Sequence, residues 1–553
     1  MYRAGLIVWA ATAALVVLVA LPLAFVVLQA IFPDLGQGSL AEPFGRVRAT
    51  LADPRLLGLT GNTLLLGAGV VVGAASLGVP LGVLRALYRV PLASLFDVLL
   101  LVPFMIPPYI ATLGWIMMLQ RRGYLSQIAG FDAASLLYSV GGVMFVMSLN
   151  LFPVVYFAVA RTVEAIGSRY ADVGRVFGAS PFRAFARITL PLAMPGLAAS
   201  LLVVFALAIE EYGTPAVLSR QSGFDVLVTA IQMRVADFPI DLPGAAILSL
   251  ILVLLSLAAF LLQMRILAGR SFVTVGGKPQ ADAKRALGPL AVPVALLFSL
   301  VGGLAVGVPL FAIFATALSR TLSGGLAASN LSLDHFRAVG ADENGALRAL
   351  ANSLMLGGAT AVATGLIGAA AAYAVVRTRF RGKLLLDALT IMPSAVPGVV
   401  VAVGLILCWN QPALPATPYN TPFILLFAYS CILLPYPVRY ASAAFRQIGD
   451  NLEAAARVSG ASAGSTFRRI LLPLVSPSLV SAMLLVFAVA SRELVASIIV
   501  APVGMATVAT FIWRQFEQGS VGLGMAMSGI AIVVTTAVPL IATLVSRGRG
   551  IFG

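Results

Sequence analysis

The sequence predicts an all-α polytopic membrane protein with about twelve transmembrane helices in two parallel six-helix repeats. Three observations predict it. The 553 residues are 60% hydrophobic and only 10% charged, where soluble domains carry ~25% charged residues. The mean hydropathy of +1.01 is incompatible with a water-soluble surface over this length. And the second half of the sequence repeats the first.

A bilayer span needs about 20 mostly apolar residues. Charge-poor runs of that length fall at 6–32, 61–84, 94–119, 136–160, 197–218 and 243–267. The first is too long for a signal-peptide core and reads as a retained helix. A polar stretch follows, residues 269–288, which reads as a linker. Its Gly276-Gly277-Lys278-Pro279 lacks the upstream glycine and the Ser/Thr after lysine that a phosphate-cradling loop needs. Six more runs come next, at 289–318, 350–376, 384–409, 422–440, 479–500 and 523–545. Residues 1–268 thus form a first transmembrane repeat, 269–288 a cytoplasmic linker and 289–553 a second repeat.

Net charge is +15, from 36 Lys and Arg against 21 Asp and Glu. With the N-terminus inside, about two thirds of the basic residues fall on the cytoplasmic side, as the positive-inside rule requires. Both termini are therefore expected in the cytoplasm of a cell whose inner membrane holds the chain. The basic balance then calls for contact with lipid and not with nucleic acid. One histidine, His335, and two cysteines, Cys408 and Cys431, in apolar runs supply neither a metal site nor a disulfide framework.

The repeat is explicit. Asn62-Thr63-Leu64 recurs as Asn352-Ser353-Leu354, Asp97 as Asp387, and Pro103 and Pro107 as Pro393 and Pro397. Further on, at a shorter offset, Pro153 recurs as Pro435 and Gly178-Ala179-Ser180 as Gly460-Ala461-Ser462. Between 178–197 and 460–479, 11 of 20 positions are identical. Because the unit holds an even number of spans, both copies face the same side and are related by an axis along the membrane normal. That is transporter architecture.

The fourth and fifth runs of each half are joined by a long loop, about 161–196 and 441–478. Each reads as a helix, a Gly-Ala-Ser turn and a second short helix ending before proline, Pro191 or Pro473. Gly178 and Gly460 occupy C-terminal cap positions, and Ser180 and Ser462 the N-cap of the next helix. Small residues ahead of the turn (Val173, Gly174; Ala454, Ala455, Ala456) would leave a flat surface for another protein's backbone.

The order of an acidic residue with alanines, a glycine and then Ile-x-Leu-Pro resembles the signature loop of permease subunits of binding-protein-dependent ABC importers of type I. The resemblance implies that each loop carries a coupling helix that docks on a cytoplasmic ABC ATPase. Two loops imply two ATPase copies, with a periplasmic substrate-binding protein on the other face. ATP and its magnesium would be held by the ATPase, leaving this chain without a cofactor and without catalytic residues. The residues carried over are Asp172, Gly174, Arg175, Gly178, Ala179 and Ser180 in the first loop. In the second they are Glu453, Ala454, Ala455, Gly460, Ala461 and Ser462. The first copy has Asp172-Val173-Gly174 where the family has Glu-Ala-Ala. The second places Glu453 one position early. The glycines match in both.

Fused two-half permeases resemble chiefly the ferric-iron importers, with thiamine and aminoethylphosphonate importers as relatives. Glu210-Glu211-Tyr212-Gly213-Thr214-Pro215 and its counterpart Ser491-Arg492-Glu493-Leu494 look most like the ferric-iron group. An ion-coupled secondary transporter is the competing class. It would carry titratable residues in several spans and would leave the doubled Gly-Ala-Ser loops unexplained.

Charges inside the membrane are costly, about 2.5–3.5 kcal/mol at mid-span on insertion scales. Glu210, Glu211, Arg492 and Glu493 fall within the fifth and eleventh runs. They are expected either to bridge the halves, Glu210 or Glu211 with Arg492, or to line the translocation path or its gate together with Tyr212. Asp97 and Asp387 read as first-turn helix residues at the cytoplasmic edge. Pro103, Pro107, Pro393 and Pro397, with Pro108, are expected to break the third and ninth helices beside the path.

Overall fold

A computed structural model describes residues 5–167, 169–267, 284–342, 344–411 and 414–548. The proposed linker therefore lies outside the described residues as far as 283, including Gly276, Gly277 and Lys278. Among the described residues the regular structure is helical, with isolated backbone bridges only at Tyr88–Arg285 and Ser319–Leu331.

Among the described residues eight helices are long and apolar enough to cross a membrane, and three bent helix pairs raise the number to as many as eleven. The twelfth apolar run is the helix Val521–Gly548, of which Val521–Ala537 forms a shorter apolar helix.

The third and ninth spans are broken at Pro107 and Pro397, whereas Pro103, expected to break the third, lies inside Ala93–Met105, and Pro393 lies within the turn Met392–Ala395. Ala93–Met105 meets Pro108–Ala129 at 97°, and Lys383–Ala395 meets Gly398–Trp409 at 117°. Pro107 and Pro397 lie at the two breaks, directly before the second helix of each pair. A proline removes the N–H that would bond four residues back, and its ring collides with that carbonyl.

Pro422–Leu433 meets Pro435–Gln447 at 47°, while four other prolines are accommodated without a break. Wide π turns at Val16–Ala20, Phe185–Thr189, Gly303–Gly307 and Phe467–Leu471 each end two residues before a proline: Pro22, Pro191, Pro309 and Pro473. Widening the turn moves the carbonyl out of the ring's way. This corrects the expectation that the second loop helix stops before Pro191 and Pro473. It runs straight into the fifth span, Phe185–Glu210, and into the eleventh, Gly464–Ala490. Both spans therefore start and finish earlier than hydropathy alone marks.

The chain forms two compact units, and these are not the sequence halves. One comprises Pro54–Thr229 and Leu254–Leu331; the other comprises Met1–Asp53, Ala230–Val253 and Ser332–Gly553. Each unit takes in the first span of the opposite repeat. In the first unit, a Cβ on Gly114 would stand 2.8 Å from the Pro309 carbonyl, and the Phe298 ring packs on Phe96 at 5.2 Å, tilted by 49°. In the second, a Cβ on Gly404 would stand 2.6 Å from the Pro22 carbonyl. Gly114 and Gly404 are repeat equivalents, so the same glycine admits the same incoming helix twice.

Within each unit the long second or eighth span is the hub. Pro54–Leu87 packs along Val140–Ile166, where a Cβ on Gly78 or Gly82 would press on the backbone of Phe152 or Tyr156. Ala346–Arg377 packs on Pro435–Gln447 and on the eleventh span around Ala369, Ala372, Tyr373, Phe445 and Val475. Small residues that let backbones approach supply the packing that drives helix association in lipid.

Candidate functional site

The two loops fold alike. In the first, Arg169–Val176 is a helix that ends at Gly178, whose φ is +85°. The Ala179 N–H donates to the Gly174 carbonyl (3.0 Å) and the Gly178 N–H to the Arg175 carbonyl (2.9 Å). This pair of bonds is a Schellman motif, which needs a left-handed residue that glycine adopts at no steric cost. In the second loop, Asp450–Val458 ends at Gly460, φ +77°, with the Ala461 N–H donating to the Ala456 carbonyl (2.9 Å). The next helices are capped as expected, Ser180 Oγ accepting from the Arg183 N–H and Ser462 Oγ from the Ser465 N–H.

The small residues ahead of the turn do not all face outward. A Cβ on Gly174 would meet Ile188 Cδ1 at 2.5 Å, and its equivalent Ala456 is buried. This position closes the loop onto itself. The outward face carries Val173, Val176 and Phe177 in the first loop, and Ala454, Ala455 and Val458 in the second. Val176 and Val458 are repeat equivalents, 85% and 91% exposed.

The acidic residues tie the loops down. Asp172 takes the Arg285 guanidinium and lies 3.5 Å from Arg175. Glu453 is buried and pairs with Arg377 at the end of the eighth span. The Arg377 guanidinium also donates to the Phe445 and Ile448 carbonyls.

The broken spans meet within each unit. The fifth span ends at Glu210, and a short helix, Gly213–Ser222, follows. Glu211 joins them, and its carboxylate accepts from the Thr214 N–H at 2.9 Å. Thr214 Oγ1 in turn hydrogen-bonds Thr112 Oγ1 (2.9 Å), just past the Pro107 break, and Gly213 sits against Tyr109. The eleventh span repeats the arrangement. Glu493 accepts from the Ala496 N–H (3.0 Å) and the Ser497 N–H (3.2 Å) at the start of Val495–Val500, which packs on Gly398–Trp409 beyond the Pro397 break. Ser497 Oγ also bonds Tyr429 Oη.

Glu211 and Glu493 therefore cap short helices, where the dipole favours negative charge. Glu210 accepts from Ser256 Oγ at 3.3 Å. Each carboxylate has a partner inside its own unit. Tyr212 is buried, and Arg492 is half-buried in the turn between the eleventh span and Val495. Pro103, Pro107, Pro393 and Pro397 are all buried.

Besides the ties of Asp172 and Glu453, two arrangements went unread in the sequence. Asp97 and Asp387 stand past the first turns of Ala93–Met105 and Lys383–Ile391, not in them, and Asp97 is a hub: Arg85 binds it through Nε and Nη2, the latter at 2.7 Å, and Tyr156 Oη donates to it at 2.6 Å. The repeated Asn-Thr/Ser pair is a tether. The Asn62 amide donates to the Asp225 carbonyl and Thr63 Oγ1 accepts from the Leu227 N–H. Asn352 and Ser353 do the same to Ala506 and Val508. The conserved spacing of these pairs within the repeat was the available signal.

The family described as binding-protein-dependent transport system inner membrane component matches this chain twice, over residues 78–270 and 361–550. The ferric transport system permease protein FbpB of Actinobacillus pleuropneumoniae is 28% identical over 87% of this chain and 70% of its own length. The Fe(3+)-transport system permease protein FbpB 2 of Haemophilus influenzae is 25% identical over 91% of both. The trehalose transport system permease protein SugB of Mycobacterium tuberculosis is 32% identical over 43% of this chain and 89% of its own. With two matched repeats carrying the same loop and the same broken spans, the chain belongs to the binding-protein-dependent transport system inner membrane components, as a multi-pass permease in fused two-repeat form.

Proposed function

We propose that the chain is the transmembrane permease of an ATP-driven importer of ferric iron, delivered by a periplasmic binding protein. Both termini lie in the cytoplasm, and one ABC ATPase docks on each of the two loops. The observation that carries this reading is the pair of equivalent, exposed apolar side chains, Val176 and Val458, each on a short helix ahead of a glycine turn. A short helix presenting an apolar side chain suits insertion into a groove on a partner. ATP and magnesium belong to that partner. The broken third and ninth spans, braced against the capped helices after Glu211 and Glu493, are the elements that reshape the path during alternating access.

Iron is favoured by the names of the relatives aligned along most of the chain. Among the described residues no three His, Cys, Asp or Glu side chains gather into a metal-binding group. Selection of the cargo is accordingly assigned to the binding protein.

The test is reconstitution in vesicles with a candidate ABC ATPase and a candidate periplasmic binding protein. ATP-dependent uptake of radiolabelled ferric iron is expected, with Val176→Glu and Val458→Glu each weakening ATPase capture. Uptake driven by a proton gradient without ATP would overturn the importer reading. Uptake of a sugar or an aminophosphonate in place of iron would replace the cargo alone.

A further inference from the structure

The charged ties that hold the two loops are not repeats of one another. In the second repeat Arg377 of the eighth span holds Glu453. The equivalent positions in the first repeat are Leu87 and Ala171, which cannot form that tie. The first loop is held instead from the end of the linker. The Arg285 guanidinium donates to Asp172 Oδ1. The backbone of Arg285 is fixed on both sides, its N–H donating to the Leu87 carbonyl (3.0 Å) and its carbonyl accepting from the Arg89 N–H (2.9 Å). Beside it Lys284 Nζ donates to Glu164 Oε1 (2.6 Å), at the end of the fourth span, and to the Arg85 carbonyl (2.8 Å). Asp172 and Glu164 correspond to Ala454 and Arg446, so neither tie has a counterpart. Three residues past Arg285 the chain enters the seventh span, Gly288–Ala317.

We propose that Lys284 and Arg285 are positioning residues for the first coupling helix. They clamp it to the end of the second span and to the start of the seventh. The connection between the repeats thereby sets the position of one ATPase-docking helix and leaves the other to Arg377. A passive tether needs only length. Here two consecutive basic residues each find an acid, one on either side of the loop's entry, and the backbone between them and the second span is bonded twice. Movement of the seventh span is thus transmitted to one docking site and not to its twin.

This inference rests on the coupling-loop reading, and the experiment separates the two. Transport per ATP hydrolysed is measured in the reconstituted complex for Arg285→Ala, Arg285→Lys, Asp172→Asn, the Arg285→Ala/Asp172→Asn double variant and Gly178→Pro. A part-exposed ion pair can shift an equilibrium by up to about fivefold. Arg285→Ala is therefore expected to lower the coupling ratio roughly two- to fivefold, with rescue by Arg285→Lys and non-additivity with Asp172→Asn. A protease site cut at Gly276–Gly277 leaves Lys284 and Arg285 attached to the seventh span and should preserve coupling. Two results overturn the clamp: an unchanged ratio in Arg285→Ala while Gly178→Pro uncouples, or a cut as damaging as Arg285→Ala. An unchanged ratio in Gly178→Pro removes the coupling-loop reading itself, and the clamp with it.

Discussion

Arg377 Nε lies 3.5 Å from Glu453 Oε1 at the root of the second loop, and both side chains are only 8% exposed. Removing one partner of a buried pair typically costs about 3–5 kcal/mol, because the other charge stays behind. Arg377→Met should therefore lower thermal stability in detergent by an amount in that range. The double variant Arg377→Met/Glu453→Leu should recover much of the loss. A single variant as stable as the double would show that the pair is not what holds the loop.

Asp97 and Asp387 are equivalent in sequence and different in surroundings. Asp97 holds Arg85 and Tyr156, whereas the matching positions around Asp387 are Val375 and Val438. Hydrogen bonds to a charged group are worth about 1.5–3 kcal/mol each. Asp97→Asn should cost about that much in unfolding experiments, and Asp387→Asn should cost much less. Equal effects would contradict the asymmetry.

Gly178 and Gly460 face open space, so a substitution there is limited by backbone alone. Alanine in a left-handed conformation costs about 1–2 kcal/mol. Proline, locked near φ −65°, cannot adopt either turn. Both alanine variants should insert and transport at reduced rates. Both proline variants should insert normally, and their complexes with the ATPase should hydrolyse ATP without transport. Normal coupled transport by either proline variant would mean that the turn does not set the loop and would remove the coupling reading of that loop with it.

The carboxylates of Glu211 and Glu493 each cap a helix within one unit and share no partner. Losing a cap costs about 1 kcal/mol. Glu211→Ala and Glu493→Ala should each destabilise by that order, and their effects should add. Calorimetry on the single and double variants checks this. A double variant no worse than the worse single would mean that the two caps act as one.

The repeat, the helix breaks and the glycine turns were legible because each depends on a residue whose backbone chemistry is local. Pro107 and Pro397 each withhold a helix N–H, and a glycine at a helix end reports its own φ, but which prolines a helix accommodates, as Ala93–Met105 does Pro103, is set by packing. The role of Glu211 was less legible. Hydropathy placed it mid-span, although Pro215, an early-helix proline, marked the start of a new helix just after it. The ties Arg377–Glu453 and Arg285–Asp172 could not be read at all. They join residues far apart in sequence, and the repeat offset, which was the best guide elsewhere, pairs them with Leu87, Ala171 and Ala454. Nor could the offset show that each first span packs with the other repeat, because it compares residues with their copies and not with their neighbours.

The exchanged first spans set an order of events during biosynthesis. The helix Leu6–Ile31 leaves the ribosome well before its packing surface on Ala346–Arg377 and Gly398–Trp409, which follows some 300 residues later. At synthesis rates of about 5–20 residues/s that is a wait of roughly 15–60 s in the bilayer without its permanent neighbours. Trp9, with 71% of its surface uncovered even in the finished fold, and the apolar residues around it must be held by lipid or by the insertion machinery for that interval. A ribosome that stalls between the repeats would leave behind a membrane-stranded helix with nothing to join, a ready substrate for quality control.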